Sequence, residues 1–263
     1  MQAKDIMSTE VVFVKPSDNA IDIGNRMESE KIGAVIVAED KKFIGILSKE
    51  TFVSNISDFC NQSLESLLVR DLMEEDVETT KPEAELPEVV DLMMCQKSFI
   101  ERLPVVSAGK VVGLISLSDM TNLFTESMGG KYKVSDLMHY NPPTVDDITP
   151  LSAVIDLMKN MAAKRVLVMS GEKLAGLISV KDLSIGLFHH LKNNECEEGE
   201  IALKAEDVMT KNPITINMKA DAVKAARIMQ EKNIGGIPVI GDRLEGIINR
   251  KDLLKAYKLM FSK

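Results

Sequence analysis

The sequence predicts a mixed α/β (α+β) fold of four β-α-β-β-α units paired into two modules. Three observations carry that prediction: a three-residue phrase that returns four times, a second phrase at a nearly constant distance from it, and an apolar pattern between them that switches between strand-like and helical periods. The composition agrees. Hydrophobic residues make up 45% of the 263 and charged residues 27%, the range of ordinary globular domains, and a chain of this length holds about two domains at roughly 100 to 200 residues each.

Each unit opens on Asp, an aliphatic residue and Met: Asp5-Ile6-Met7, Asp71-Leu72-Met73, Asp136-Leu137-Met138 and Asp207-Val208-Met209. Successive aspartates lie 66, 65 and 71 residues apart, too regular for chance matches. Each unit closes on Gly45-Ile46-Leu47-Ser48, Gly113-Leu114-Ile115-Ser116, Gly176-Leu177-Ile178-Ser179 or Gly246-Ile247-Ile248-Asn249, which follow their Met by 38, 40, 38 and 37 residues. Between the phrases, β-branched stretches such as Thr144-Val145 and Ile214-Thr215-Ile216 predict a first strand. A helix comes next, because Leu151, Val154, Ile155, Met158 and Met161 recur at helical spacing in the third unit, as do Ala222, Val223, Ala226, Met229 and residues 230–234 in the fourth. Met27, Met93, Met158, Met161 and Met229 sit on such apolar faces, where a flexible thioether fills core gaps. Two strands follow, Leu103–Val106 with Val111–Ile115 and Ile237–Ile240 with Leu244–Ile248, each pair flanking turn residues as a hairpin does. The last helix starts after the closing Ser or Asn.

A unit of about 60 residues cannot cover both faces of a three-stranded sheet, so units must pair. Residues 126–133 contain Gly129-Gly130 and little apolar surface, which predicts the hinge between modules. The modules are expected at 1–127 (units 3–56 and 69–124) and 132–263 (units 134–190 and 205–260). Ser57–Leu68 and Lys192–Lys204 join units within a pair, and the second, with Glu195, Glu197, Glu198 and Glu200, reads as a solvated loop.

Several function classes are disfavoured. The longest uninterrupted apolar run, around Ala34 to Ala38, is about six residues against the ~20 that cross a bilayer, and Met1–Met7 lacks a signal-peptide apolar region. Neither membrane nor export is indicated. A net charge of −8 and a pI near 5.1 supply no global positive field for a phosphate backbone, so nucleic acid is not expected as a partner. A local basic bias remains at Arg243, Arg250, Lys251, Lys255, Lys258 and Lys263. Cys60, Cys95 and Cys196 are odd in number and form no CxxC, which fits a reducing cytoplasm. His139, His189 and His190 form no metal-binding spacing, so no metal is assigned. Neither GxxxxGK nor GxSxG occurs, no catalytic residue is assigned, and the chain is expected not to be an enzyme.

The closing phrase carries the binding chemistry. A helix start offers free backbone N–H groups and the positive end of the macrodipole, which favour a phosphate. An ionised Asp one turn into the same helix can accept both hydroxyls of a ribose diol. Ser116 with Asp119 and Ser179 with Asp182 provide that combination. The same residues also make a capping-box-like arrangement worth about 0.5 to 2 kcal/mol without any ligand.

Taken together, the opening phrase, the strand phrases Leu103-Pro104-Val105 and Ile237-Pro238-Val239, and the Gly-aliphatic-aliphatic-Ser-x-x-Asp closing resemble the CBS-domain family, in four copies spanning nearly the whole chain. The resemblance implies two tandem (Bateman) modules, each of two CBS units related by a pseudo-twofold axis, with ligand clefts between the units. It implies a regulatory protein that binds AMP, ADP, ATP or S-adenosylmethionine and changes shape. Four copies leave no catalytic domain, so the regulated protein is expected in trans, and a homodimer is expected over a single-chain disk. Ser116-Leu117-Ser118-Asp119 resembles the nucleotide-holding stretch of the AMP-activated protein kinase gamma subunit, which adds Ser118 to the candidates. The resemblance further implies cations near the phosphates at Arg102 and Arg165, and base or phosphate contacts at Thr79, Thr144 and Thr215. Adenine would lie among aliphatic strand residues: Pro104, Val105, Val106, Ile237, Pro238 and Val239. Unit four has Asn249 in place of the closing Ser and keeps Asp252 as its candidate ribose acceptor, and Arg250 and Lys251 between them, like Lys181 in the third unit, would neutralise phosphates or remain surface charges. Unit one departs from the pattern, with Thr51 at the Asp position and Phe13 at the first-strand Thr. That departure raises the alternative of an assembly scaffold with partly vestigial clefts.

Overall fold

A computed structural model of the chain describes residues 1–40, 42–49, 51–52, 66–94, 101–183 and 203–261. Cys60, Cys95, Cys196, His189, His190, Lys263 and most of both intra-pair connections, the acidic run included, lie outside the described residues. The chain divides into two compact units, Met1–Ser127 with Leu253–Lys263, and Met128–Asp252. No helix among the described residues is long and apolar enough to cross a membrane.

In the first unit β1 (Phe13–Val14), β2 (Ala34–Glu39), β3 (Lys42–Ser48), β4 (Arg102–Ser107) and β5 (Lys110–Ser116) form one sheet in the order β1-β2-β3-β5-β4. β1 and β2 are parallel, so they need a crossover, and the helix Ala20–Ser29 supplies it. β2 with β3 and β4 with β5 are antiparallel hairpins. The second unit holds β6 (His139–Tyr140), β7 (Thr144–Asp146), β8 (Arg165–Ser170), β9 (Lys173–Ser179), β10 (Thr210–Lys211), β11 (Ile216–Asn217), β12 (Gly236–Ile240) and β13 (Leu244–Asn249). Its two sheets run β10-β9-β8-β7 and β11-β12-β13-β6. The hairpins of all four repeats carry a register shift at one place, next to the pairs Val37–Gly45, Val105–Gly113, Val168–Gly176 and Val239–Gly246.

The edge strands show what the opening phrase does. β10 follows the fourth opening phrase yet pairs with β9 of the third repeat, and β6 follows the third yet pairs with β13 of the fourth. The first unit repeats this exchange as the bridges Ser8–Leu114 and Ile46–Glu74. Each opening phrase occupies a four-residue helical turn: Ala3–Ile6, Val69–Leu72, Val134–Leu137 or Ala205–Val208. A helix start leaves N–H groups without intrahelical partners. Here the partner repeat accepts two of them: Ala3 N donates to the Ala84 carbonyl, Val69 N to Asp18, Val134 N to Ala220 and Ala205 N to Thr149, all at 2.8–2.9 Å, and the next N–H of each turn, on Lys4, Arg70, Ser135 and Glu206, donates to Pro82, Pro16, Met218 and Asp147 at 2.9–3.1 Å. The repeated Asp closes each turn, accepting from the backbone N–H of Gln2, Leu68, Lys133 or Lys204 at 2.8–2.9 Å.

Leaving the turn, the chain crosses the closing glycine of the partner repeat. A Cβ on Gly113 would meet Met7 Sδ, one on Gly176 would meet Met209 Sδ, one on Gly45 the Glu74 carbonyl and one on Gly246 the His139 carbonyl. The two repeats of each pair also share apolar surface. Ala34, Ile36, Ala38 and Ile46 pack with Val77, Val111 and Leu114, while Leu167, Leu174 and Leu177 pack with Leu244 and Ile247.

Some local expectations are corrected. Met27, Met93, Met158 and Met229 are buried, but Met161 caps the helix Leu151–Asn160 and is 54% exposed, because that helix stops one residue before it. Strand β11 begins at Ile216, leaving Ile214 and Thr215 before it. At the end of the helix Leu117–Ser127, Gly130 takes φ +74° and its N–H caps onto Asp221 Oδ2 at 2.8 Å. Within the first unit Tyr257 packs edge-on against Phe124, and burial pushes its phenol up to about 12, against the opposing hydrogen bond with Ser127.

Backbone carbonyls yield less than a thioether. Gly45→Ala and Gly246→Ala should therefore each destabilise by about 1–3 kcal/mol and more than Gly113→Ala or Gly176→Ala, an order that urea unfolding can check. Thr80 stands where the other repeats have Val14, Val145 and Ile216, and its buried hydroxyl has no hydrogen-bond partner among the described residues. Thr80→Val should raise stability by about 1 kcal/mol in the same assay, since a buried unmet hydroxyl costs about 1–3 kcal/mol.

Candidate functional site

The four closing helices begin where a hairpin ends, and their first turns differ in ways that decide what each can bind. In the second repeat Asp119 Oδ2 accepts from Ser116 N at 2.7 Å and Ser116 Oγ at 2.6 Å, and Asp119 N returns to Ser116 Oγ at 3.3 Å. Oδ1 of Asp119 takes no hydrogen bond from a described residue. In the third repeat Asp182 Oδ2 accepts from Ser179 N at 2.8 Å and from Ser179 Oγ, and Oδ1 accepts from Thr210 Oγ1 at 3.1 Å. Both aspartates are half-buried. The capping arrangement is thus formed, and it uses one carboxylate oxygen.

The fourth repeat is more closed. Asp252 is 1% exposed. Its Oδ2 accepts from Asn249 N at 2.7 Å and Nδ2 at 3.2 Å, and its Oδ1 lies 2.7 Å from His139 Nε2. In the first repeat Thr51 Oγ1 accepts from Ser48 N at 2.8 Å and donates to the Ser48 carbonyl at 3.0 Å. That hydroxyl completes the cap without any charge.

The two arginines reach across their pairs. Arg102 leaves β4 beside Ser116, but its guanidinium lies against Gly33 of the first repeat, where no side chain blocks it. Arg165 leaves β8 beside Ser179, lies against Gly235 and Gly236 of the fourth repeat, and donates from Nη1 to Asn249 Oδ1 at 3.2 Å. Each therefore extends to the repeat opposite its own. Arg250 donates from Nη2 to the Met229 carbonyl at 2.9 Å, at the end of the helix Ala222–Glu231, where last-turn carbonyls need donors. Lys181 is exposed, and Ser118 half-buried. Thr79, Thr144 and Thr215 are all exposed. Val105, Ile237 and Val239 are fully buried core residues, Pro104 and Pro238 are buried beside them, and Val106 is half-buried.

Spacing alone did not flag three contacts: His139 on Asp252, Thr210 on Asp182, and the mutual cap of Ser48 and Thr51. A signal exists. His139 and Thr210 both directly follow an opening Met, and the opening segment is what crosses the partner's closing glycine.

The model of one domain family, the CBS domain, matches the chain at residues 3–58, 69–126, 134–187 and 205–259. The chain belongs to the CBS-domain family. The chain is similar to protein MJ1225 of Methanocaldococcus jannaschii, 26% identical over 200 residues covering 72% of this chain and 69% of MJ1225. Protein MJ1404 of the same organism is 27% identical over 262 residues, covering 96% of this chain and 61% of MJ1404. The crystal structure of MJ1225, put forward as an archaeal homologue of g-AMPK, superposes with a TM-score of 0.87 at 22% identity, covering 98% of this chain and 100% of that one. The tandem CBS fold is shared along nearly the entire length.

Because the caps stabilise helices with no ligand present, Asp119→Ala should lower unfolding free energy by about 0.5–2 kcal/mol. Asp252→Ala should cost more, since Asp252 is itself buried and its loss leaves the half-buried Asn249 amide and the His139 imidazole without their acceptor. Chemical denaturation of the ligand-free protein compares the two.

Proposed function

We propose that this CBS-domain protein is a non-enzymatic regulator that binds an adenosine ligand (AMP, ADP, ATP or S-adenosylmethionine) at the closing helices and signals to a separate protein in the cytoplasm. The carrying observation is Asp119. One oxygen caps its helix, the other takes no hydrogen bond from a described residue, and the start of an eleven-residue helix stands beside it. A carboxylate oxygen so disposed can accept from a ribose hydroxyl beside a phosphate-favouring helix end, which supports this reading. Asp182 is the second site, its Thr210 contact being a hydroxyl that can rotate away. Arg165, over the start of the fourth closing helix, supplies the cation that an adenylate phosphate would meet. The proposed γ-AMPK kinship of MJ1225, a sequence relative of this chain, points the same way.

Two closing helices lack an accessible carboxylate: Thr51 replaces one and Asp252 is buried. These features favour a second reading, an assembly scaffold in which some clefts are vestigial. Its mark would be an oligomer of fixed stoichiometry by light scattering, with or without nucleotide.

A ligand that prefers the native state must stabilise it. At least one of the four compounds should raise the melting temperature and give a calorimetric isotherm, and Asp119→Asn should weaken that binding by about 1–3 kcal/mol. No heat and no thermal shift at millimolar concentration from any of them would remove the proposal.

A further inference from the structure

We propose that His139 is the gate of the fourth CBS domain, holding Asp252 shut against the ribose of a ligand. The inference rests on the adenosine-binding reading above and adds how one of its sites is regulated.

An ionised carboxylate has no proton to give, so the hydrogen between His139 Nε2 and Asp252 Oδ1, 2.7 Å apart, belongs to the imidazole. With Oδ2 already accepting two donors from Asn249, Asp252 has both oxygens in use. It is 1% exposed, so a diol could not approach it without displacing the ring. The ring itself is 58% exposed. It therefore lies between the buried acid and solvent as a cover rather than as part of the core.

The backbone holds the cover in place. Strand β6 pairs with β13 at His139–Ile247 and Tyr140–Gly246, and the His139 carbonyl lies over Gly246, where any side chain would collide with it. With the backbone so held, rotation or substitution of the His139 side chain is what takes the ring off Asp252 Oδ1. The equivalent residues after the other opening Met are Ser8, Glu74 and Thr210. Thr210 makes the corresponding contact with Asp182 at 3.1 Å, yet Asp182 stays half-buried. A single hydroxyl is smaller than an imidazole and can turn to another acceptor. The identity of the residue after the opening Met thus sets whether the partner domain's carboxylate is open or shut.

Isothermal titration with AMP as the probe tests this on the full-length protein, comparing wild type, His139→Ser, His139→Gln and His139→Ser/Asp252→Asn. His139→Ser should bind one more AMP per chain, or bind it at the fourth domain at least about tenfold tighter, which is about 1.4 kcal/mol. His139→Gln, whose amide can still donate to Oδ1, should titrate like wild type, and the double variant should lose the gain. A merely structural role for His139 would weaken rather than add binding. Equal titration of wild type and His139→Ser, where wild type binds AMP, overturns the proposal.

Carbodiimide-driven coupling of glycinamide to Asp252, followed by peptide mass spectrometry without nucleotide, gives a separate readout. The coupling should be about tenfold faster in His139→Ser than in wild type, again about 1.4 kcal/mol, and close to wild type in His139→Gln. Equal rates overturn the gate whatever AMP does. Faster coupling with no AMP bound to any variant would instead keep the gate and sink the adenosine-binding reading.

Discussion

Each repeat's opening turn crosses the closing glycine of its partner, and the rest of the architecture depends on that contact. It needs four things at once. The turn must be stable enough to present itself, which the repeated Asp secures by capping it. Its free N–H groups must find acceptors, which the partner's segment before its first helix provides. The strand it crosses must have no Cβ, hence glycine at 45, 113, 176 and 246. Finally, shared apolar surface must reward the approach, and Leu167, Leu177 and Ile247 show how little of that surface belongs to one repeat alone. A lone repeat would expose these groups to water, so pairing follows from the same residues that define the repeat.

This crossing also explains why binding chemistry and scaffold share a few positions. The closing strand delivers its Ser or Asn to a helix start, and the partner's opening segment arrives at the same place. A residue just past the opening Met is therefore within reach of a carboxylate in another repeat. Thr210 and His139 use that reach. The arginines cross the same pseudo-symmetric boundary from the strand side, finding room over Gly33, Gly235 and Gly236. Cation and carboxylate from one repeat thus point to different places: Arg165 of the third repeat meets Asn249 beside Asp252 of the fourth, whereas Arg102 of the second reaches a first repeat whose closing turn carries Thr51 instead of an acid.

Most of the scaffold was legible in the sequence because it is written in spacing. Fourfold recurrence located the units, β-branched runs around short turns located the hairpins, and helical periods located the first helices. What spacing cannot express is contact between repeats. Asp136 and Asp207 read as members of a phrase, and nothing in one copy reveals that the phrase exists to dock on Ala220 or Thr149 of another. The same limit applies at the site. Ser116 with Asp119 reads in the sequence as a cap and as a candidate ribose acceptor, and the structure shows the cap, which consumes one oxygen and leaves the other to its surroundings. Whether those surroundings hold an imidazole, a hydroxyl or no described donor depends on a residue of another repeat, 28 positions from Asp182 in the case of Thr210 and 113 from Asp252 in the case of His139, as the unequal first turns of the four repeats show. Met161 failed for a simpler reason: helical spacing continues one residue past the point where the helix stops.

A ligand moves a protein only through unequal affinity for two arrangements, and the fold restricts where that inequality can act. Asp119 begins its helix immediately after β5, and β5 carries Gly113 three residues before Ser116. Met7 of the other repeat rests on Gly113, and Ser8 bridges to Leu114 beside it. Any tightening of the turn around Asp119 is therefore applied to the strand that supports the partner's opening segment, with no intervening loop to absorb it. The same spacing holds from Asp182 through β9 to Gly176 and Met209. A ligand at one closing helix would act on the neighbouring repeat through a few residues of regular strand, which is short and stiff enough to carry a displacement. In a pair where only one of the two helices offers an open carboxylate, that displacement would be one-sided and would break the pseudo-symmetry of the pair instead of expanding both halves equally.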